Sequence, residues 1–157
     1  MTFKTDGIVI KEGATVVLCL NGVEVNAAYI YVGNNATLII CDCSEGEVGS
    51  LGFTEGVKFS GNTSGSFSLY SGKLHTSGVV LEVERGIDHY INIYGGVMES
   101  TGSDTVYVSE VARGKLNVAG GKILSASSAI SVHHRLFDIN FSTRYINIEK
   151  TMMNANR

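Results

Sequence analysis

The sequence predicts an all-β protein, a right-handed parallel β-helix of about six coils with three short strands per coil. Three observations carry that expectation. The glycines Gly72, Gly96 and Gly121 recur at intervals of 24 and 25 residues, the length of one three-strand coil. Around them SFSLYSGKLHTS from Ser66, YINIYGGVMEST from Tyr90 and KLNVAGGKILSAS from Lys115 align without gaps. The composition, with 19 Gly, no Pro, no Trp and 17% charged residues, favours strands and tight turns over helices.

The elements follow from period-two alternation, which marks a strand with one face turned inward. In chain order the alternating apolar positions are Ile8/Ile10, Leu18/Leu20, Ile30/Val32 and Leu38/Ile40, with Val48 following an insertion at Cys43 to Glu47. From there the repeat is regular. First strands carry Phe67/Leu69, Ile91/Ile93 and Leu116/Val118; second strands centre on Leu74, Met98 and Ile123; third strands carry Val57/Phe59, Leu81/Val83, Val106/Val108 and Ile130/Val132. A longer insertion, His133 to Thr143, is expected before a last strand Tyr145–Ile148, because RYINIE echoes the earlier HYINIY. Stacked coils place equivalent residues about 4.8 Å apart, in three parallel sheets around an apolar interior. The glycines fall where the chain turns between the first two sheets, a position that often needs positive φ. An antiparallel sandwich also has short strands and Gly-rich turns, but it does not require this recurrence.

Net charge is −3, from 12 Lys+Arg against 15 Asp+Glu, with no basic run, which argues against nucleic acid or an anionic membrane as partner. No stretch approaches the roughly 18 apolar residues of a membrane span, and MTFKTDGIVI lacks the apolar centre of a secretory signal peptide. Because TMMNANR ends just after a new coil has opened, residues 1–157 read as a single β-helix domain excised from a longer chain. The open ends of such a solenoid make end-to-end self-association an expectation.

The coil VVLCLNGVEV, followed by ATLIICD and by the Gly-rich coils INIYGG and LNVAGG, resembles the pectate-lyase-like β-helix repeats of bacterial cell-surface proteins. The resemblance runs from about Gly13 to Val132. It implies a carbohydrate-binding or adhesin-like module, extracellular or at the cell surface, with polysaccharide laid along the outer face of one sheet.

On the first sheet the outward column is expected to run from Cys19 or Ile39 to Ser68, Asn92, Asn117 and Asn147. Asparagines in register form either a structural amide ladder or contacts to sugar hydroxyls. Tyr70 and Tyr94, one coil apart beside this column, make a flat strip suited to the apolar face of a pyranose. The expected glycan-binding residues are therefore Tyr70, Tyr94, Asn92, Asn117 and Ser68, although exposed tyrosines are also common on β surfaces. Tyr31 and Tyr107 are expected to form a second, less regular aromatic group.

Glycoside hydrolysis needs two carboxyl groups roughly 5 to 10 Å apart. The outward acids Glu82 and Glu99 fall on different sheets, and Asp88 and Asp104 fall in loops. A lyase needs a cationic base beside clustered acids, yet Lys73, Lys115 and Lys122 have no acidic neighbours in the expected register. No catalytic residue, cofactor or metal site is expected. His133 and His134 point oppositely along an extended segment, and His75 and Glu99 make at most a surface pair. Ice binding would need a regular Thr face, which is missing. Cys19 and Cys41 align outward 22 residues apart, but directly stacked strands orient them poorly for a disulfide. The competing expectation to glycan binding is a spacer that projects neighbouring domains and binds nothing.

Overall fold

The computed structural model describes residues 1–59 and 64–141 with their side chains, and the backbone of residues 147–149. Among these residues there is no helix, and none long and apolar enough to cross a membrane; every strand pairing is parallel. The first coil is β1 (Thr2–Thr5), β2 (Ile8–Ile10) and β3 (Thr15–Cys19). The second is β4 (Glu24–Val32) and β5 (Thr37–Cys41), and the third β6 (Ser50–Phe59) and β7 (Ser66–Leu69). The fourth comprises β8 (Lys73–Thr76), β9 (Leu81–Val83) and β10 (Gly86–Ile93), the fifth β11 (Val97–Ser100), β12 (Val106–Val108) and β13 (Ala112–Val118). A sixth coil, β14 (Lys122–Ser125), β15 (Ile130–Val132) and β16 (Phe137–Phe141), is followed by β17 (Asn147–Glu149), which pairs with β14. The chain is a parallel β-helix of about six turns.

Three faces are present, but two of them form one hydrogen-bonded sheet. The first face is the six-stranded sheet β16-β13-β10-β7-β5-β3. The second and third belong to a single 11-stranded sheet because β4 and β6 run through the corner between them without a break. In β4 the register shifts between Ala27 and Tyr29, and in the same place β6 carries Gly56 with φ +85°. Later coils turn this corner with loops. There Ser100 Oγ donates to Gly78 O (2.6 Å), Thr105 Oγ1 to Leu124 O (2.6 Å) and Ser125 Oγ to Ser103 O (2.8 Å), so hydroxyls, buried at Ser100 and Thr105 and half-buried at Ser125, join the backbone of adjacent coils.

The interior is a set of apolar columns. On the first sheet Leu38/Ile40, Phe67/Leu69, Ile91/Ile93 and Leu116/Val118 stack in register and are fully buried. On the third sheet Ile30/Val32, Val57/Phe59, Leu81/Val83, Val106/Val108 and Ile130/Val132 do the same. Each such side chain contributes about 1.5–3 kcal/mol of transfer free energy, an upper range because the unfolded chain already hides some surface. The repeating glycines take φ of +90°, +76° and +83° at Gly72, Gly96 and Gly121. A Cβ on Gly96 would also lie 2.7 Å from Gly72 O, so the turn requires glycine both for conformation and for the approach of the coil below.

Several expected positions move. The first-coil pair that stacks on Leu38/Ile40 is Val16/Leu18, with Leu20 buried just beyond the strand. Val48 is exposed, and Leu51 takes the inward place opposite Leu74. Within the expected insertion at His133 to Thr143, Phe137–Phe141 forms the sixth first-sheet strand, with Leu116 opposite Ile139 and Asn117 opposite Asn140. The backbone of Asn147 therefore belongs to the second sheet, opposite Lys122. Tyr145 and residues 151–157 lie outside the described residues. Asp88 is not in a loop but in β10, at a register break with φ +60°. Beside it His89 turns inward, 2% exposed, its Nε2 against Arg85 O at 2.6 Å and its ring edge-on to Phe59. Burial holds the His89 pKa below its usual value, despite the Arg85 carbonyl.

Candidate functional site

The outer face of the first sheet carries three columns, set by the residues that alternate with the buried pairs. The middle column is Val17, Ile39, Ser68, Asn92, Asn117 and Asn140. Asn147 is therefore replaced by Asn140, and Cys19 belongs to the neighbouring column. Asn92 Nδ2 donates to Ser68 Oγ at 3.5 Å, Asn117 Nδ2 to Asn92 Oδ1 at 2.8 Å, and Asn140 Nδ2 to Asn117 Oδ1 at 3.3 Å. The amides form a ladder along the stack. Each amide nitrogen carries a second N–H beyond the one donated along the ladder.

The column toward the glycine turn runs Cys19, Cys41, Tyr70 and Tyr94. The rings of Tyr70 and Tyr94 stack with centroids 4.8 Å apart and planes at 28°, the spacing of the coils themselves. They are 52% and 45% exposed, so one broad aromatic surface faces solvent. The third column contains Tyr90, also 45% exposed and directly opposite Ser66 and Lys115. Tyr90 and Asn92 of β10 and Tyr94 just past its end thus lie side by side on this face. Tyr90 was detectable from sequence, since the alternation that turns Ile91 and Ile93 inward turns it outward.

Tyr31 and Tyr107 do not form an aromatic group. They share a third-sheet column but are separated by Lys58 and Glu82, and their ring partners are Tyr29 (4.4 Å) and His133 (5.3 Å). Lys58 pairs with Glu55 at 3.3 Å and Glu82 at 3.6 Å. Partial burial works to lower the Lys58 pKa, but the two carboxylates outweigh it and hold it above the usual value. Two lysines do have acidic neighbours: Lys73 Nζ lies 2.5 Å from Glu99 Oε2, and Lys115 stands opposite Asp138. Glu99 thus pairs with Lys73, although His75 is its register partner. Both outward acids are held in ion pairs. Asp104 accepts the Ser128 amide at 3.0 Å. His133 Nε2 meets Ser131 Oγ at 3.0 Å, and His134 Nδ1 accepts the Leu136 amide at 2.9 Å. A shallow groove of about 590 Å³ runs along the third sheet past Glu82, Glu84, Arg85, Tyr107 and His133.

At the other end of the first sheet, the loop after β5 is folded back by Asp42. Its Oδ1 accepts the Gly22 amide (2.8 Å), while Oδ2 accepts the Gly49 amide (2.9 Å) and the Ser44 hydroxyl (2.8 Å). Burial would raise the Asp42 pKa, but these three donors prevail and hold it below the usual carboxylate range. The Asp42 amide donates to Ser71 Oγ (2.7 Å), tying the loop to the coil above. So held, the loop brings Cys43 Sγ to 2.7 Å from Cys19 Sγ and 3.9 Å from Cys41 Sγ. Hydrogen bonding to Cys43 holds the Cys19 thiol below its ordinary value; the same contact, with Cys41, pushes Cys43 up to about 12. Cys19 and Cys41 alone were expected to align. The third thiol lies in the stretch treated as an insertion, where only the Asp42 contacts reveal its place.

Comparison with protein-family models, with curated proteins and with solved structures returns no significant match.

Proposed function

We propose that this chain is a non-catalytic carbohydrate-binding or adhesin-like module of a bacterial surface protein, with glycan held on the outer face of the first sheet. One observation carries the proposal, the stacked and half-exposed pair Tyr70/Tyr94. A regular coil spacing turns two rings into a continuous apolar platform, and such a platform packs against the C–H face of a sugar. Asn92, Asn117 and Ser68 supply hydrogen-bonding groups beside it, and Tyr90 extends the face across the strand. That Glu82 and Glu99 are spent in ion pairs supports binding without bond cleavage. The cell-surface setting rests on the resemblance of the coils alone.

A spacer with no ligand is the second reading, and the asparagine ladder favours it, because those amides already satisfy one another. End-to-end association belongs with that reading. Ile8, Val16 and Leu18 in the first coil are only partly buried, whereas Ile30, Leu38 and Ile40 above them are fully so. Another coil or a second copy stacked there would cover them.

A broad glycan array separates the two readings. Under the binding proposal the wild-type protein retains a defined set of glycans, and Tyr70→Ala and Tyr94→Ala each weaken retention by about 1 kcal/mol or more through lost stacking. Their melting temperatures stay close to wild type, since both rings face solvent. An array with no retained glycan gives the chain to the spacer reading. Unsaturated or reducing-end products released from pectins, hyaluronan or xylans would overturn the non-catalytic part.

A further inference from the structure

The three cysteines gathered beside Tyr70 belong to no part of the glycan platform. From their geometry we propose a binding site for one thiophilic monovalent ion, copper(I), held by the sulfurs of Cys19, Cys41 and Cys43.

All three sulfurs lie within 4.8 Å of one another. Two thiolates bound to one ion at about 2.3 Å each stand no more than about 4.6 Å apart, so small side-chain rotations suffice to close the set. The backbone that presents them is fixed independently of any ion. Cys19 and Cys41 are register partners on stacked strands, and Cys43 is delivered by the loop that Asp42 and Ser71 pin down. Cys19 and Cys43 are exposed and Cys41 half-buried, which leaves an entry path from solvent. Binding breaks the S–H bonds and releases their protons to solvent, with no change of oxidation state.

Donor number and softness choose the ion. Thiolates favour copper(I), zinc and iron–sulfur clusters over magnesium or calcium. Zinc in structural sites takes four ligands and an iron–sulfur cluster four cysteines. Among the described residues the group holds three cysteines with neither histidine nor carboxylate. Asp42, the acid adjoining Cys41 and Cys43 in the chain, already has both oxygens occupied by amides and a hydroxyl. Three soft donors without a hard fourth match a three-coordinate monovalent ion.

The test is an anaerobic titration of the reduced full chain with copper(I) buffered by bathocuproine disulfonate, read by near-ultraviolet thiolate-to-copper absorbance and bound copper. One copper per chain is expected. Cys41→Ser should lower its affinity by more than the roughly 10- to 100-fold that loss of an outer-shell partner costs. Asp42→Ala keeps all three thiols but frees the loop, and it should weaken binding as well; far-ultraviolet circular dichroism confirms that each variant remains folded. Equal binding by Cys41→Ser and wild type would overturn the proposal, as would zinc displacing copper at equal concentration.

Discussion

In the first two coils the middle column of the first sheet and the column toward the glycine turn carry Val17, Ile39, Cys19 and Cys41; from the third coil onward they carry Ser68, Asn92, Asn117, Tyr70 and Tyr94. Behind both halves the inward residues keep one chemistry, from Val16/Leu18 to Leu116/Val118. The halves are also held differently. The lower half depends on a carboxylate, Asp42, that gathers two amides and a hydroxyl from the turn and loop around it. The upper half depends on neutral amides bonded from coil to coil. The inner columns therefore determine whether a coil stacks, and the outer face can change its chemistry within one coil height.

Substituting within the shared inner column should erase the distinction. Leu81→Asp places a carboxylate between Val57 and Val106, where an uncompensated buried charge costs roughly 3–5 kcal/mol, a large part of the roughly 5–15 kcal/mol that stabilises a domain. Loss of the β signal in circular dichroism, or a melting point near ambient, is expected; a melt like wild type would contradict the inward stack.

Acid should separate the halves. The Asp42 pKa is depressed in the folded state, so its stabilisation is present above the unfolded carboxylate value of about 3.9 and is lost as pH falls through the folded value. Asp42→Ala should accordingly cost about 1–3 kcal/mol at neutral pH, and the gap to wild type should close in strong acid. His89, also depressed, adds a loss that begins as pH falls below about 6.5, because the unfolded chain then binds a proton that the buried ring resists. Urea titrations across pH check both signs.

The smallest effect belongs to the ladder. Asn117→Ala removes one bond given to Asn92 and one received from Asn140, yet water can reach the freed groups, so about 0.5–1.5 kcal/mol is expected. The loss should be the same at pH 7 and pH 4, since no ladder group titrates. A pH-dependent loss would mean that the ladder, too, leans on charge.

The inner columns were legible because burial imposes alternation and stacking imposes recurrence, and both are visible in the letters. Asn147 was misplaced because RYINIE matches HYINIY as a string, whereas the stack is governed by spacing. Asn140 lies 23 residues after Asn117, close to the preceding steps of 24 and 25, and its neighbours Ile139 and Phe137 complete an alternating strand. Cys43 and the ion pairs at Lys73 and Lys58 were not legible. They depend on a loop path and on side-chain reach, neither of which leaves a period in the sequence.

The near-constant step from coil to coil also bears on how the chain folds. Stacked partners are separated by 22 residues at the start, as between Thr2 and Glu24, and by 29 at the longest step, as between Ile39 and Ser68. Loop-closure entropy grows only with the logarithm of that distance, so the cost of closing successive turns varies by no more than a few tenths of a kcal/mol. No turn has a kinetic head start from chain length. The nucleus is then chosen by packing, and the fully buried rows from Val57 to Leu116 are the place for it, with structure zippering outward in both directions and the terminal turns closing last. Amide hydrogens in those central turns should be the slowest in the molecule to exchange with solvent.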